Sequence, residues 1–203
     1  MAADVPEWLE RIFDEPHAGH AKLAVARLAG EGLIGRGGFT LGSPAFKNGA
    51  ELDPCFTADE EDAVAPPLEW STPPAGAQEL VLIVEDPDAA SAESACHWLV
   101  WGLRPQQGML LEGETPPRVG KNSHQNSEWL LPSVPDGDSA HEYVFQLFAL
   151  DTGVPLMPGA SRADLLAEMK GHVLAAAVLT GKYQGQENGE EWGEEWDDTD
   201  EMH

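Results

Sequence analysis

Five side chains able to do acid–base or hydrogen-bond chemistry stand at the ends of apolar runs. Asp86 and Asp88 follow the run Leu80 to Val84, His97 opens a second run, and His141 and Tyr143 open a third. Two chemistries suit them. Paired aspartates at a strand tip suit nucleophilic or acid–base chemistry. Alternatively, imidazoles donate to phosphate oxygens and gain charge in doing so, while a nearby carboxylate fixes the tautomer or raises the imidazole pKa. Taken singly, each residue also has a plain structural role: a strand-end aspartate bonds turn amides, and a strand histidine packs. Several together favour a site.

The elements that must position these groups are strands. Leu80 to Val84 is continuously apolar and rich in β-branched residues before Glu85-Asp86-Pro87-Asp88, which predicts a strand buried on both faces and ended by a turn. His97 to Leu103 and Glu142 to Leu150 read as two more. In the last, His141, Tyr143, Phe145, Leu147 and Ala149 share one face and Glu142, Val144, Gln146 and Phe148 the other, so histidine and tyrosine emerge together. Phe39 to Leu41 and Pro66 to Trp70 are weaker strand candidates. Ser161-Arg-Ala-Asp164 has the form of a capping box that starts a helix, and Gly171 makes Val173 to Leu179 a separate strand. With its Pro/Gly/Asp punctuation the pattern predicts an all-β, antiparallel two-sheet β-sandwich with a few short helices. Two short helices between Val5 and Ala29, broken at Pro16 to Gly19, form an N-terminal helical appendage. Gly30 to Gly38, five glycines in nine residues, reads as a flexible connector. The organisation expected is therefore an extension and linker at 1–38, a domain at 39–185, and a disordered acidic tail at 186–203 with nine acidic residues in eighteen.

Charge limits the partners. The 203 residues carry 11 Lys plus Arg against 36 Asp plus Glu, a formal net charge of −25. Such a field repels phosphate backbones and anionic membrane surfaces, which argues against nucleic-acid binding. The longest uncharged apolar stretch, Val173 to Gly181, is nine residues, against the roughly 20 that span a bilayer. Charged residues interrupt the first fifteen positions, so no secretory signal is expected. Cys55 and Cys96 lie far apart without metal-ligand spacing, and read as free thiols of a cytoplasmic protein. Gly30-Glu-Gly32-Leu-Ile-Gly35 matches a dinucleotide-binding fingerprint in letters only, because a helix precedes it and a strand follows. Phosphate-loop, zincin and nucleophile-elbow patterns do not occur.

Asp86-Pro87-Asp88 resembles the D-x-D of haloacid-dehalogenase-type phosphatases, which makes a Mg-dependent aspartyl phosphohydrolase one reading. Those enzymes need a crossover helix after the strand, and Ala89 to Cys96 is too short for a parallel return. Read with His97-Trp98 and His141-x-Tyr143-x-Phe145, the same Asp86-Pro87-Asp88-Ala89 resembles the phosphatidylethanolamine-binding protein family, the Raf-kinase-inhibitor-like proteins. The likeness runs from about Phe39 to Tyr183 and includes Ala65-Pro-Pro-Leu-Glu-Trp70, Gly120-Lys-Asn-Ser123 and Leu179-x-Gly181-x-Tyr183. It implies a non-enzymatic binding module without a cofactor. Its pocket would take a phosphate-like anion or a phospholipid head group, with Asp86 and Asp88 as one wall, His97 and His141 as the floor and Tyr143 as a hydroxyl donor. Pro135 and Gly137 would supply the loop whose amides face the anion. It also implies a protein partner, a kinase or a protease, and a second reading in which the chain is a protein-interaction inhibitor with a vestigial pocket. The oligomeric state is left open, a homodimer included. Ala90, Ala95, Val134 and Glu142 depart from the family pattern, and Glu142 reverses the charge of an arginine.

Overall fold

The computed structural model describes residues 5–185; the expected disordered tail at 186–203 lies outside them. In chain order the strands are β1 (Leu41–Gly42), β2 (Ala50–Glu51), β3 (Leu68–Trp70), β4 (Glu79–Asp86), β5 (Ala95–Leu103), β6 (Gly108–Leu110), β7 (Arg118–Val119), β8 (His141–Leu150) and β9 (Val173–Tyr183). The α-helices are α1 (Glu7–Glu10), α2 (Ala24–Leu28) and α3 (Arg162–Met169). The fold is mostly β with few helices. Six strands form a large sheet in the order β2-β9-β8-β4-β5-β7, and β1-β3-β6 form a small one.

Both faces of the large sheet are covered, which is why β4 reads as an unbroken apolar run. Leu80, Leu82 and Val84 join Phe145 and Leu147 under Leu68, Trp70 and Leu110 of the small sheet. Their neighbours Val81 and Ile83 join Val144 and Phe148 on the reverse face, under Leu9, Phe13, Leu23 and Leu165. The period of two thus sorts each strand between a sheet–sheet core and a sheet–helix core.

Two expectations need correcting. The sandwich is not purely antiparallel: β2 runs parallel to β9, with Ala50 opposite Gly181 and Glu51 opposite Lys182. The direction of so short an edge strand is set by distant bonds, from Gly49 N–H to the Thr180 carbonyl and from Leu52 N–H to the Lys182 carbonyl. Nor is Gly30 to Gly38 a free connector. Ile34 bridges Ala176 of β9, and Gly35 N–H donates to the Ala176 carbonyl at 2.9 Å. The N-terminal helices likewise supply Leu9, Leu23, Ala24 and Val25 to the core, each without exposed surface. Composition in that segment reports turns, and the turns are docked.

One buried carboxylate ties the helical layer to the sheet. Glu85 of β4 has no exposed surface. Its Oε2 accepts from Ala24 N–H at 2.7 Å and from Gln146 Nε2 at 2.8 Å. Its Oε1 accepts from Ser94 Oγ at 3.1 Å and from Arg162 Nε at 2.5 Å. Gln146 of β8, equally buried, accepts Val25 N–H at 2.7 Å. Leu23, the residue before α2, makes no side-chain cap, so Glu85 and Gln146 serve as caps sent from the sheet. Arg162, the first residue of α3, also donates to the Lys22 carbonyl at 3.0 Å. Glu85→Ala removes the acceptor of Arg162 Nε, the Ser94 hydroxyl, Ala24 N–H and the Gln146 amide. It should cost roughly 3–5 kcal/mol, the scale for breaking a buried pair, read as a lower urea midpoint. Arg11→Ala, removing the exposed Arg11–Glu31 pair, should stay within about 1 kcal/mol.

Candidate functional site

At one end of the large sheet, β4 closes on Asp86, β8 opens on His141, and His97 lies near the start of β5. His97 is the extra residue where pairing shifts from Val84 opposite Trp98 to Glu85 opposite Cys96, a bulge that re-aims the imidazole. Asp86 Oδ1 accepts from Asp88 N–H at 2.8 Å and Ala89 N–H at 3.2 Å, forming the turn. Its Oδ2 pairs with His141 Nδ1 at 2.7 Å. The turn role and the site role are therefore filled by different oxygens of one carboxylate.

His97 Nδ1 donates to the Leu130 carbonyl at 2.7 Å, and its ring stands edge-on to Tyr143 with centroids 5.0 Å apart. With Nδ1 donating in both histidines, Nε2 of His97 and of His141 remains available to a ligand. Tyr143, fully buried, has a hydroxyl with no hydrogen-bond partner among the described residues. Burial and then the Asp86 carboxylate push its phenol pKa upward; the Ser133 backbone opposes this weakly without forming a bond of normal geometry. Burial also holds His97 below the usual imidazole value, against the pull of the Leu130 carbonyl and Asp86. A cleft of about 630 Å³ is bordered by Trp98, Trp129, Leu130 and Ser133; it meets the group through Leu130, the His97 acceptor, and not through Asp86, His97, His141 or Tyr143 themselves.

Asp86, His97, His141 and Tyr143 thus come together. Asp88 turns elsewhere: its Oδ2 accepts Glu142 N–H at 2.7 Å, and its Oδ1 lies 3.1 Å from His17 Nε2. Pro135 and Gly137 form an exposed turn, with Asp138 N–H donating to the Pro135 carbonyl at 3.1 Å and Gly137 at φ 85°. No hydrogen bond joins that turn to the imidazoles among the described residues.

The N-terminal segment contributes residues that spacing alone did not single out. His20, without exposed surface, stacks on Phe13 at 3.8 Å and meets Glu142 Oε2 at 3.1 Å. Glu142 is the acceptor for this histidine. A Cβ on Gly19 would lie 2.3 Å from the Pro87 carbonyl, so the segment seats directly on the Asp86-Pro87-Asp88 turn. The ligating atoms of His17, His20 and Glu142 lie within 4.8 Å of one another, which invites a metal reading. The hydrogen bonds oppose it. His17 Nδ1 accepts Gly19 N–H, and His20 Nδ1 accepts His17 N–H, both at 3.1 Å. Metal-bound histidines instead donate from their second nitrogen. These rings are caps that need an unprotonated Nδ1.

With this geometry in view, comparison with known proteins is decisive. The family model for phosphatidylethanolamine-binding protein matches residues 42–184. The chain belongs to the phosphatidylethanolamine-binding protein family. It is 37% identical over 147 residues to the UPF0098 protein of Methanothermobacter thermautotrophicus, covering 69% of this chain and 95% of that one. It is 36% identical over 149 residues to the UPF0098 protein of Aquifex aeolicus, covering 70% and 86%. The crystal structure of a proposed phosphatidylethanolamine-binding protein homologue from Chlamydia trachomatis superposes with a TM-score of 0.67 at 32% identity, covering 73% of this chain and 98% of that one. The matched region begins after the His17–His20 turn, which sits on the Asp86-Pro87-Asp88 corner.

The caps generate a pH dependence. Burial, and then His20, lower the His17 pKa below 6.5. The unfolded chain therefore binds protons more readily just below that value, and stability held above it falls as the pH drops through it. Denaturant midpoints should decline from pH 7 to pH 5. His17→Asn, whose side-chain oxygen can accept Gly19 N–H without titrating, should flatten part of that slope.

Proposed function

We propose that the chain is a non-enzymatic binding module of the cytosol, taking a phosphate-like anion or a phospholipid head group at His97, His141 and Tyr143. The observation that carries this reading is the buried Tyr143 hydroxyl without a partner among the described residues, beside two imidazoles whose Nδ1 atoms are engaged and whose Nε2 atoms have no hydrogen bond among those residues. A buried donor left unsatisfied is costly, and a ligand oxygen would meet it. Asp86 orients His141 through the 2.7 Å bond at Nδ1. Regulation of a kinase or protease partner is the coarser extension of the same reading. The phosphohydrolase reading is disfavoured because β4 and β5 are antiparallel neighbours and both oxygens of Asp86 are engaged.

Titration calorimetry with phosphoethanolamine and with inorganic phosphate tests this and separates head group from bare anion. His97→Ala and His141→Ala should each weaken binding by about 1–3 kcal/mol. Tyr143→Phe should weaken it less and leave the unliganded protein at least as stable, since the hydroxyl has no bond to lose. His97 is held neutral by burial, so anion binding should strengthen and take up protons as the pH falls from 7.5 to 6. Unchanged affinity in both histidine variants, or Mg²⁺-dependent turnover of an aryl phosphate, would overturn the proposal.

A further inference from the structure

A second cavity opens on the helical side of the large sheet, the face opposite the sheet–sheet core. It measures about 670 Å³ and is lined by Arg27, Lys121, Arg162 and Lys170, with Glu93 as its single acidic residue. The whole chain has only 11 Lys and Arg against 36 Asp and Glu. More than a third of its cations therefore line one cleft that holds one of its carboxylates. At about 0.15 M salt, screening over roughly 8 Å leaves the four nearby cations, offset by Glu93 and by Glu85 behind Arg162, and not the distant carboxylates, to set the potential inside it.

The geometry at Glu93 shows what the cleft accepts. Glu93 Oε2 lies 2.7 Å from Arg27 Nη2 and 3.2 Å from Arg162 Nη1, so two guanidinium groups from different helices converge on one anionic oxygen. Arg162 is held there by Glu85 behind it and by the Lys22 carbonyl, a fixed donor rather than a drifting surface charge. Glu93 is 59% exposed and stands on the β4–β5 connection, where a competing anion can replace it. Lys121 and Lys170 are exposed and form no ion pair among the described residues. Cys96 also borders the cleft, but burial pushes its thiol up to about 12, which leaves it unsuited to nucleophilic chemistry.

We infer that this cleft is a second anion site, taking a small phosphate-bearing molecule with two or more negative charges, in which Glu93 occupies the position of one ligand oxygen until the ligand displaces it. Arg27 and Arg162 form the fork that grips the phosphate, as planar guanidinium groups do, and Lys121 and Lys170 add charge at the rim. The volume lies within the range of small-molecule pockets. The site is independent of the imidazole group across the sheet.

The test is calorimetric titration of the full chain with inorganic pyrophosphate at constant pH and about 0.15 M chloride. Glu93→Gln should bind about tenfold more tightly than the parent, because the competing charge is gone while the side chain's size is kept. Lys121→Ala combined with Lys170→Ala should weaken binding about tenfold. Both lysines are exposed, so unchanged melting temperatures will show that the fold is intact. In His97→Ala and His141→Ala, where the imidazole group is impaired, pyrophosphate binding that depends on Lys121 and Lys170 should persist, so failure at this site is distinguishable from failure at the imidazoles. Absence of binding by both the parent and Glu93→Gln would overturn the inference. So would an affinity indifferent to the two lysines, or one lost with either histidine.

Discussion

A carboxylate with no exposed surface must be compensated where it stands, and the compensation of Glu85 organises one whole side of this molecule. Four donors meet it: an amide of α2, the Gln146 side chain of β8, the Ser94 hydroxyl and the Arg162 guanidinium of α3. Each comes from a different part of the chain, so the carboxylate specifies where the helical layer sits on the sheet. Apolar packing among Leu23, Val25 and Leu165 supplies area and is tolerant of small shifts; the four bonds are not.

The next residue shows what alternation does with the same chemistry. Asp86 follows Glu85 on β4 and faces the opposite way, toward His141 and the neighbourhood of Tyr143. One carboxylate is consumed in structure and the other is left partly committed, with one oxygen on the turn and one on an imidazole. Disturbing Glu85 would therefore reach the site through the backbone of β4 as well as through the helices. The N-terminal segment reinforces that corner, because the Gly19 backbone presses on Pro87 while His17 and His20 meet Asp88 and Glu142. The carboxylate of Glu142 is thus matched by His20.

A net charge of −25 suggests a molecule hostile to anions, yet both proposed sites are built from groups that donate hydrogen bonds to anions. The two observations are compatible because a bulk field and a local donor set act over different distances. As proposed, the imidazole group relies on buried, low-dielectric surroundings, and the cleft on the helical side on guanidinium groups held by fixed partners. Sequestering cations there leaves most of the remaining surface acidic.

Much was legible in the sequence by itself. Strand positions followed from apolar runs, and the family followed from Asp86-Pro87-Asp88, His97-Trp98 and His141-x-Tyr143, since these short motifs carry local geometry and order. The facing of His141 with Tyr143, and of Glu142 with Gln146, followed from a period of two. What tertiary structure decided was everything that depends on contacts far apart in the chain. The parallel direction of β2 rests on bonds to β9 more than a hundred residues away. The docking of Gly30 to Gly38, the separation of Asp88 from Asp86, and the pairing of His17 and His20 with the site's rim have no local signature, because each is set by where another element happens to end. Glu85 marks the limit most clearly: its charge predicts an exposed residue, and only the convergence of two helices and two strands makes its burial affordable in free energy.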